Sequence, residues 1–304
     1  MSDTLKIVKP IAITDDMLTN YNVPPSKYDA WDASTTYAEG KRVYLESTHL
    51  VYQSVKDGNI GNEPNDQGSA FWVAVGPTNS WAMFDPSFST ITRNPNKIQF
   101  TVQPGTPVTT FAATNITDVE RVEIKITSES AGGVVYDETF EIAGVSVDAG
   151  WWQFFFGTKS IPNQLTVFNL TPSEDAMIQV TFFGRENLSV GVVVFGQYES
   201  FGLGVSLGSR VGIRDYSRKE TNEFGESLLV RRAYAHRMTI ELLIPTYEVD
   251  SLQIFLSDIR ATPVLWTATK AYTSMNFVGF YKTYEILISY PNHALVELEI
   301  EGLP

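Results

Sequence analysis

The stretch DAWDASTTYAEGKRVYLESTHLVYQSVKDGNIGNEP, residues 29 to 64, and GSAFWVAVGPTNSWAMFD, residues 68 to 85, set the reading of everything around them. Trp31 opens the first segment, and Tyr37 and Gly40 follow as a strand start and a turn. Val43 and Tyr44 form one short strand, and Val51, Tyr52 and Ser54 a second. Gly61, Glu63 and Pro64 make a turn, and Phe71, Trp72 and Val73 close the unit. Short aromatic strands between Gly and Pro turns predict a small β-module. A module of this size buries little surface, so Trp31, Tyr44, Tyr52 and Trp72 are expected to supply most of its core.

Around this module lies a chain of 304 residues, enough for two or three domains. A hydrophobic fraction of 43% and a charged fraction of 19% are those of a globular protein, and 12% aromatics suit β-structure. There is no cysteine, which excludes disulfides and thiolate metal sites. A net charge of -13 argues against general affinity for nucleic acid. No apolar run reaches membrane-spanning length, and residues 1 to 27 lack a basic-then-apolar signal pattern. The expectation is a soluble chain made in the cytoplasm.

Residues 1 to 27 read as an extended arm. Leu5, Ile7 and Val8 suggest a strand that either pairs with a later domain or reaches a neighbouring subunit. Residues 11 to 18 (IAITDDML) predict the start of a short helix capped by Thr14, with Asp15 and Asp16 in its first turn. Pro24 and Pro25 then mark a linker. The run Trp81 to Asp85 reads as a strand joining the module to the next domain. From residue 90 to about 198 the alternation is that of strands, over 98 to 102, 119 to 126, 134 to 142 and 178 to 182. This predicts a β-sandwich, with a segment order like the jelly roll of galactose-binding domains. Trp151 and Trp152, with Phe154 to Phe156, form the densest aromatic run. It is either a strand with alternate rings buried or a contact patch.

The last hundred residues are basic at their start. Arg210, Arg214, Arg218, Lys219, Arg231, Arg232 and Arg237 face Asp215, Glu220, Glu223 and Glu226 in a long hairpin. Residues 245 to 260 predict the chain's best helix, with Leu252, Phe255, Leu256 and Ile259 on one face. Strands at 264 to 267, 277 to 280, 284 to 290 and 294 to 302 complete a compact α+β unit.

The search for chemistry is short. His49, His236 and His293 fall in different elements without metal-ligand spacing. No nucleophile elbow, phosphate loop or His-Glu-x-x-His string is present. The acid-bearing turn from Asp57 to Asp66 does not match a calcium loop. The chain reads as a non-enzyme without cofactor or metal.

Three resemblances add to this. The series Ala30-Trp31, Thr36-Tyr37, Gly40, Val43, Val51-Tyr52, Ser54, Gly61, Pro64, Trp72 resembles the small carbohydrate-binding module of bacterial chitinases. That resemblance implies sugar binding by Trp31, Tyr44, Tyr52 and Trp72. The segment 45 to 50 is longer than the family's tight Gly turn. Val55, Lys56 and Asp57 stand where the family displays an aromatic pair, which removes the usual stacking faces. The same module, followed by Gly61 to Pro64 and Trp81 to Asp85, is similar to the front of a group of bacteriophage tail proteins. The arginine-rich hairpin, single helix and terminal Leu298 to Leu303 resemble the ring-forming domain of tail-tube and distal-tail proteins. There the sheets of adjacent subunits join into a hexameric ring and the hairpin reaches along the tube.

The resulting expectation is mainly β: an arm (1 to 27), a module (28 to 80), a sandwich (81 to 200) and a ring-forming α+β domain (201 to 304). The resemblance implies a virion protein of a phage tail or baseplate, a hexamer or alternatively a trimer, bound to tube, hub or tail-tip proteins. Arg214, Arg218, Lys219, Arg231, Arg232, Trp151 and Trp152 are its candidate subunit contacts, and its module faces host surface glycans. The alternative is a carbohydrate-binding protein with no ring-building role.

Overall fold

The strand Leu5–Val8 runs antiparallel between Tyr198–Phe201 on one side and Val264–Thr267 on the other. The beginning of the chain is thus paired on both edges within the same chain. The computed structural model describes residues 4–66, 68–85, 90–142, 162–206, 208–221, 227–269, 272–288 and 290–303. The protein is mainly β and divides into two units, Met1–Ile11 with Val194–Pro304, and Ala12–Val193.

In the first unit the sheet continues from Val264–Thr267 through Asn276–Leu287 and His293–Gly302 to Tyr234–Pro245. Gly204–Val205 and then Arg210–Asp215 pair along the far edge of Tyr234–Pro245. Alternation sorts the two faces. Ala294, Val296, Leu298 and Ile300 are fully buried, as are Met238, Ile240, Leu242 and Ile244 on the neighbouring strand. The helix Val249–Asp258 packs into this core through Leu252 and Leu256, with Ile259 just past its end. Phe255 is only half-buried, against Phe201. The expected helix face is therefore present. The strands expected at 277 to 280 and 284 to 290 are one continuous strand with a bulge between Tyr281 and Thr283.

The second unit holds a sandwich and the module. Its large sheet has the order Gly133–Glu141, Thr117–Ser128, Met177–Val190, Lys97–Val102, Leu18–Tyr21. All four strands expected from alternation are there; three are longer than the alternating stretch, and Gly133–Glu141 has the same length as 134 to 142, shifted by one residue. A smaller sheet includes Thr110–Thr114 paired with Gln164–Phe168. Phe111 from that sheet lies against Phe182, which in turn neighbours Phe100. All three rings are fully buried, and they mark the sandwich core.

Two local expectations are corrected. Residues 11 to 18 form only the 3-10 turn Asp15–Met17, and Thr14 makes no side-chain cap. Leu18–Tyr21 is instead drawn out as an edge strand on Lys97–Val102, where its backbone groups find partners. The Trp81 to Asp85 run is not a strand but the 3-10 helix Ala82–Phe84. The Thr78 carbonyl accepts from Trp81 N at 3.1 Å and Ala82 N at 2.9 Å, which curls the backbone there. Trp151 and Trp152 lie outside the described residues.

Candidate functional site

The module is a four-stranded sheet in the order Asp29–Ala30, Arg42–Leu45, Leu50–Ser54, Trp72–Pro77. Register decides which aromatics it buries. Val43 pairs with Tyr52, so the two share a face, and Tyr44, paired with Val51, points the other way. The core is Tyr37, Val43, Tyr52 and Trp72, with Trp31 packed at its margin. Tyr44 does not belong to it, and Tyr37 takes the place expected for Tyr44. Tyr37 and Trp72 meet edge to face at 5.3 Å. Trp72 Nε1 donates to the Asn62 carbonyl at 2.8 Å, and Asn59, fully buried, donates through Nδ2 to Ser54 Oγ at 3.0 Å.

This corrects part of the sugar-binding expectation. Tyr52 and Trp72 are 6% and 7% exposed, so neither can offer a ring face to a pyranose. Their apolar surface is spent on the module's own core. Trp31 and Tyr44 are each partly exposed, but register and packing place them in different surroundings. Among the described residues no coplanar aromatic platform is formed here.

The basic hairpin is a different kind of surface. Every residue of Arg210–Asp215 and of Arg218–Thr221 is exposed. Arg218–Thr221 pairs with Ser227–Val230 as a two-stranded ribbon. On that ribbon Leu228 and Leu229 are 64% and 76% exposed, and Val211 and Ile213 are exposed nearer the sheet. Of the expected contact residues, Arg218, Lys219, Arg231 and Arg232 are all exposed. Arg218 pairs with Glu220 on its own strand. Arg214 instead reaches back to the sheet, where it meets Glu301 at 3.4 Å.

Glu301 anchors the root of this arm. Its side chain is 6% exposed, although it lies on the sheet face opposite the helix. Tyr216 Oη donates to it at 2.9 Å, and Lys282 and Arg214 pair with it. Burial pushes its pKa up, but the hydrogen bonds from Lys282 and Tyr216 and the charges of Lys282 and Arg214 outweigh that, and it lies below the ordinary value. The same sheet face carries a carboxylate row. Glu297 is directly opposite Glu241 on one neighbouring strand and Glu285 on the other.

Sequence reasoning missed Glu301 and this row, because each depends on register between strands distant in sequence. Two of the histidines stack on aromatic rings. His49 stacks on Trp81 at 3.8 Å and contacts Asp15 at 2.6 Å, and His236 stacks on Phe277. Among the described residues no group of three His, Cys, Asp or Glu side chains could hold a metal ion. No helix among them is long and apolar enough to cross a membrane. No family model and no curated protein matches this chain.

Proposed function

We propose that this chain is a structural protein of a bacteriophage tail or baseplate, assembling as a ring at the end of the tail tube. In this reading the unit built on the eight-stranded sheet is the ring-forming α+β domain, and six copies, or three, close the ring. The sandwich is a galactose-binding-type jelly roll, and the module faces outward toward host surface glycans. Tube, hub or tail-tip proteins are the partners. The protein acts without catalysis, in the virion, after synthesis in the host cytoplasm.

The observation that carries the reading is the arm. Leu228 and Leu229 follow each other on an exposed ribbon, one on each face, flanked by Arg218, Lys219, Arg231 and Arg232. A ribbon with apolar residues of this exposure is a liability in a free monomer and an asset in an interface. Mixed charge around it fixes register between copies more than it adds affinity. The carbohydrate-binding alternative loses its ring faces with the burial of Tyr52 and Trp72.

The test is the mass of the purified chain by light scattering, with images of the particles. A six- or threefold mass with ring-shaped particles supports the reading. A chain that remains monomeric, alone and with purified tail-tube protein, overturns it.

A further inference from the structure

Between the module sheet and the segment that leads into the sandwich lies a cleft of about 730 Å³. Its wall includes the module face opposite the Tyr37, Val43, Tyr52 and Trp72 core, through Arg42 and Val51. Three cationic side chains line it: Lys27 from the proline linker, Arg42 from the second module strand, and Arg93 from the short strand Thr92–Arg93. Among the described residues no carboxylate lines it, in a chain whose net charge is -13. None of the three cations has a carboxylate within ion-pair distance among the described residues.

One of these cations, Arg42, is held in place, while Lys27 and Arg93 are exposed. Arg42 Nε donates to Gln53 Oε1 at 2.9 Å and Nη1 to Tyr28 Oη at 3.1 Å, which leaves Nη2 without a partner among the described residues. Arg93 has its backbone clamped on both sides by the Asn79 amide, while its guanidinium is unpaired there. Lys27 lies over the Tyr28 ring at 5.3 Å. Bringing three like charges to one cleft costs free energy that an acidic side chain would relieve. The surrounding wall is apolar, from Val75, Pro77 and Ile91. One fixed and two exposed cations beside apolar side chains, in a cleft of ligand size, suit a small oxyanion borne on a carbon chain.

We infer that this cleft binds an oxyanion carried on a polyol or saccharide, a phosphate or carboxylate group of an anionic surface polymer. The cations take the oxyanion, and the apolar wall takes the C–H face of the neighbouring polyol or sugar. The inference deepens the outward role proposed for the module, yet stands apart from ring assembly. An anion bound by a chain that never forms rings would leave it intact.

The test titrates the full chain with glycerol 3-phosphate and with glucuronate, with glycerol and glucose as neutral controls, by calorimetry at low and at raised salt. Saturable binding of either anion, weakened by salt, is expected. Tighter binding of glycerol 3-phosphate assigns a phosphate polymer, and tighter binding of glucuronate a uronic acid polymer. The paired change Lys27→Gln with Arg93→Gln should weaken it at least about tenfold with an unchanged far-ultraviolet spectrum. Lys27 meets the fold only at the Tyr28 ring, and Arg93→Gln alone serves should the pair fail to fold. No saturable anion binding, equal binding of the neutral controls, or undiminished binding by the variant would overturn the inference.

Discussion

Asn79 and Arg93 pair as two strand residues would, with a side chain standing in for one backbone. Asn79 Nδ2 donates to the Arg93 carbonyl at 2.9 Å, and Arg93 N donates to Asn79 Oδ1 at 2.9 Å. Asn79 also donates from its own N to Pro25 O at 2.7 Å and accepts from Thr92 Oγ1 at 2.8 Å. One residue thus ties the linker, the end of the module and the first sandwich strand together. Asn79→Ala should lower the unfolding free energy of this unit by about 1 kcal/mol, since it removes two hydrogen bonds at Arg93 whose freed groups can turn to water. Asn79→Asp should be nearly as costly, because a carboxylate cannot donate to the Arg93 carbonyl. Denaturant titration checks both, and wild-type midpoints would show the pairing to be dispensable.

Asp175 gives the acid dependence a named source. Its carboxylate accepts from Ser173 Oγ, from Ser130 N at 2.7 Å and from Ser128 Oγ at 2.8 Å. These bonds, with Ser173 the largest, hold its pKa well below the ordinary carboxylate value. A depressed folded-state pKa contributes stability that is present above the unfolded value, about 3.9, and lost as pH falls through the folded one. Asp175→Asn should therefore melt lower than wild type at neutral pH, with the gap narrowing below about pH 4. A gap constant from pH 7 to pH 3 would refute this origin.

Removing Glu301 should loosen the arm. Glu301→Ala leaves Arg214, Tyr216 and Lys282 without their shared acceptor. Arg214 and Lys282 can turn to water, so the cost should be about 2 kcal/mol, below that of fully buried pairs. Limited proteolysis should cut the variant within residues 210 to 230 sooner than wild type. Unchanged cleavage would mean that strand pairing alone holds the arm.

The arm's apolar residues separate assembly from folding. Leu228→Asp with Leu229→Asp should change the melting temperature little, as exposed substitutions do, and abolish the higher mass that the ring reading expects by light scattering. Arg231→Ala with Arg232→Ala should reduce that mass more at low salt than at high salt. Assembly unaffected by both pairs of changes would remove the arm from the interface.

The row Glu241, Glu297, Glu285 sets three like charges across adjacent strands. Glu297→Gln should raise the stability of the isolated chain by about 0.5 kcal/mol, and salt should shrink that gain. A loss of stability instead would mean that the row is already neutralised by a neighbouring cation.

Patterns confined to one element were legible. Leu252, Leu256 and Ile259 announced their helix face by spacing, and the four sandwich strands by alternation. Turns governed by a few hydrogen bonds, such as those at Thr14 and Trp81, leave no such pattern in the sequence. Adjacent strand residues face opposite sides of a sheet, so Val43 in the core puts Tyr44 on the other face. Glu301 and Arg93 were out of reach. Glutamate and arginine are ordinary surface residues, and only the pairing of distant strands gives these two their neighbours.

The strand Leu5–Val8 has a consequence for how the protein is made. Its partners lie near residues 200 and 265, and the whole of Ala12–Val193 is synthesised between it and them. On the ribosome the first strand must wait, its apolar side chains unburied, until most of the chain has emerged. The unit from Ala12 to Val193 can fold during that interval and shorten the effective loop to be closed. Leu5–Val8 is thus synthesised long before the strands that complete it.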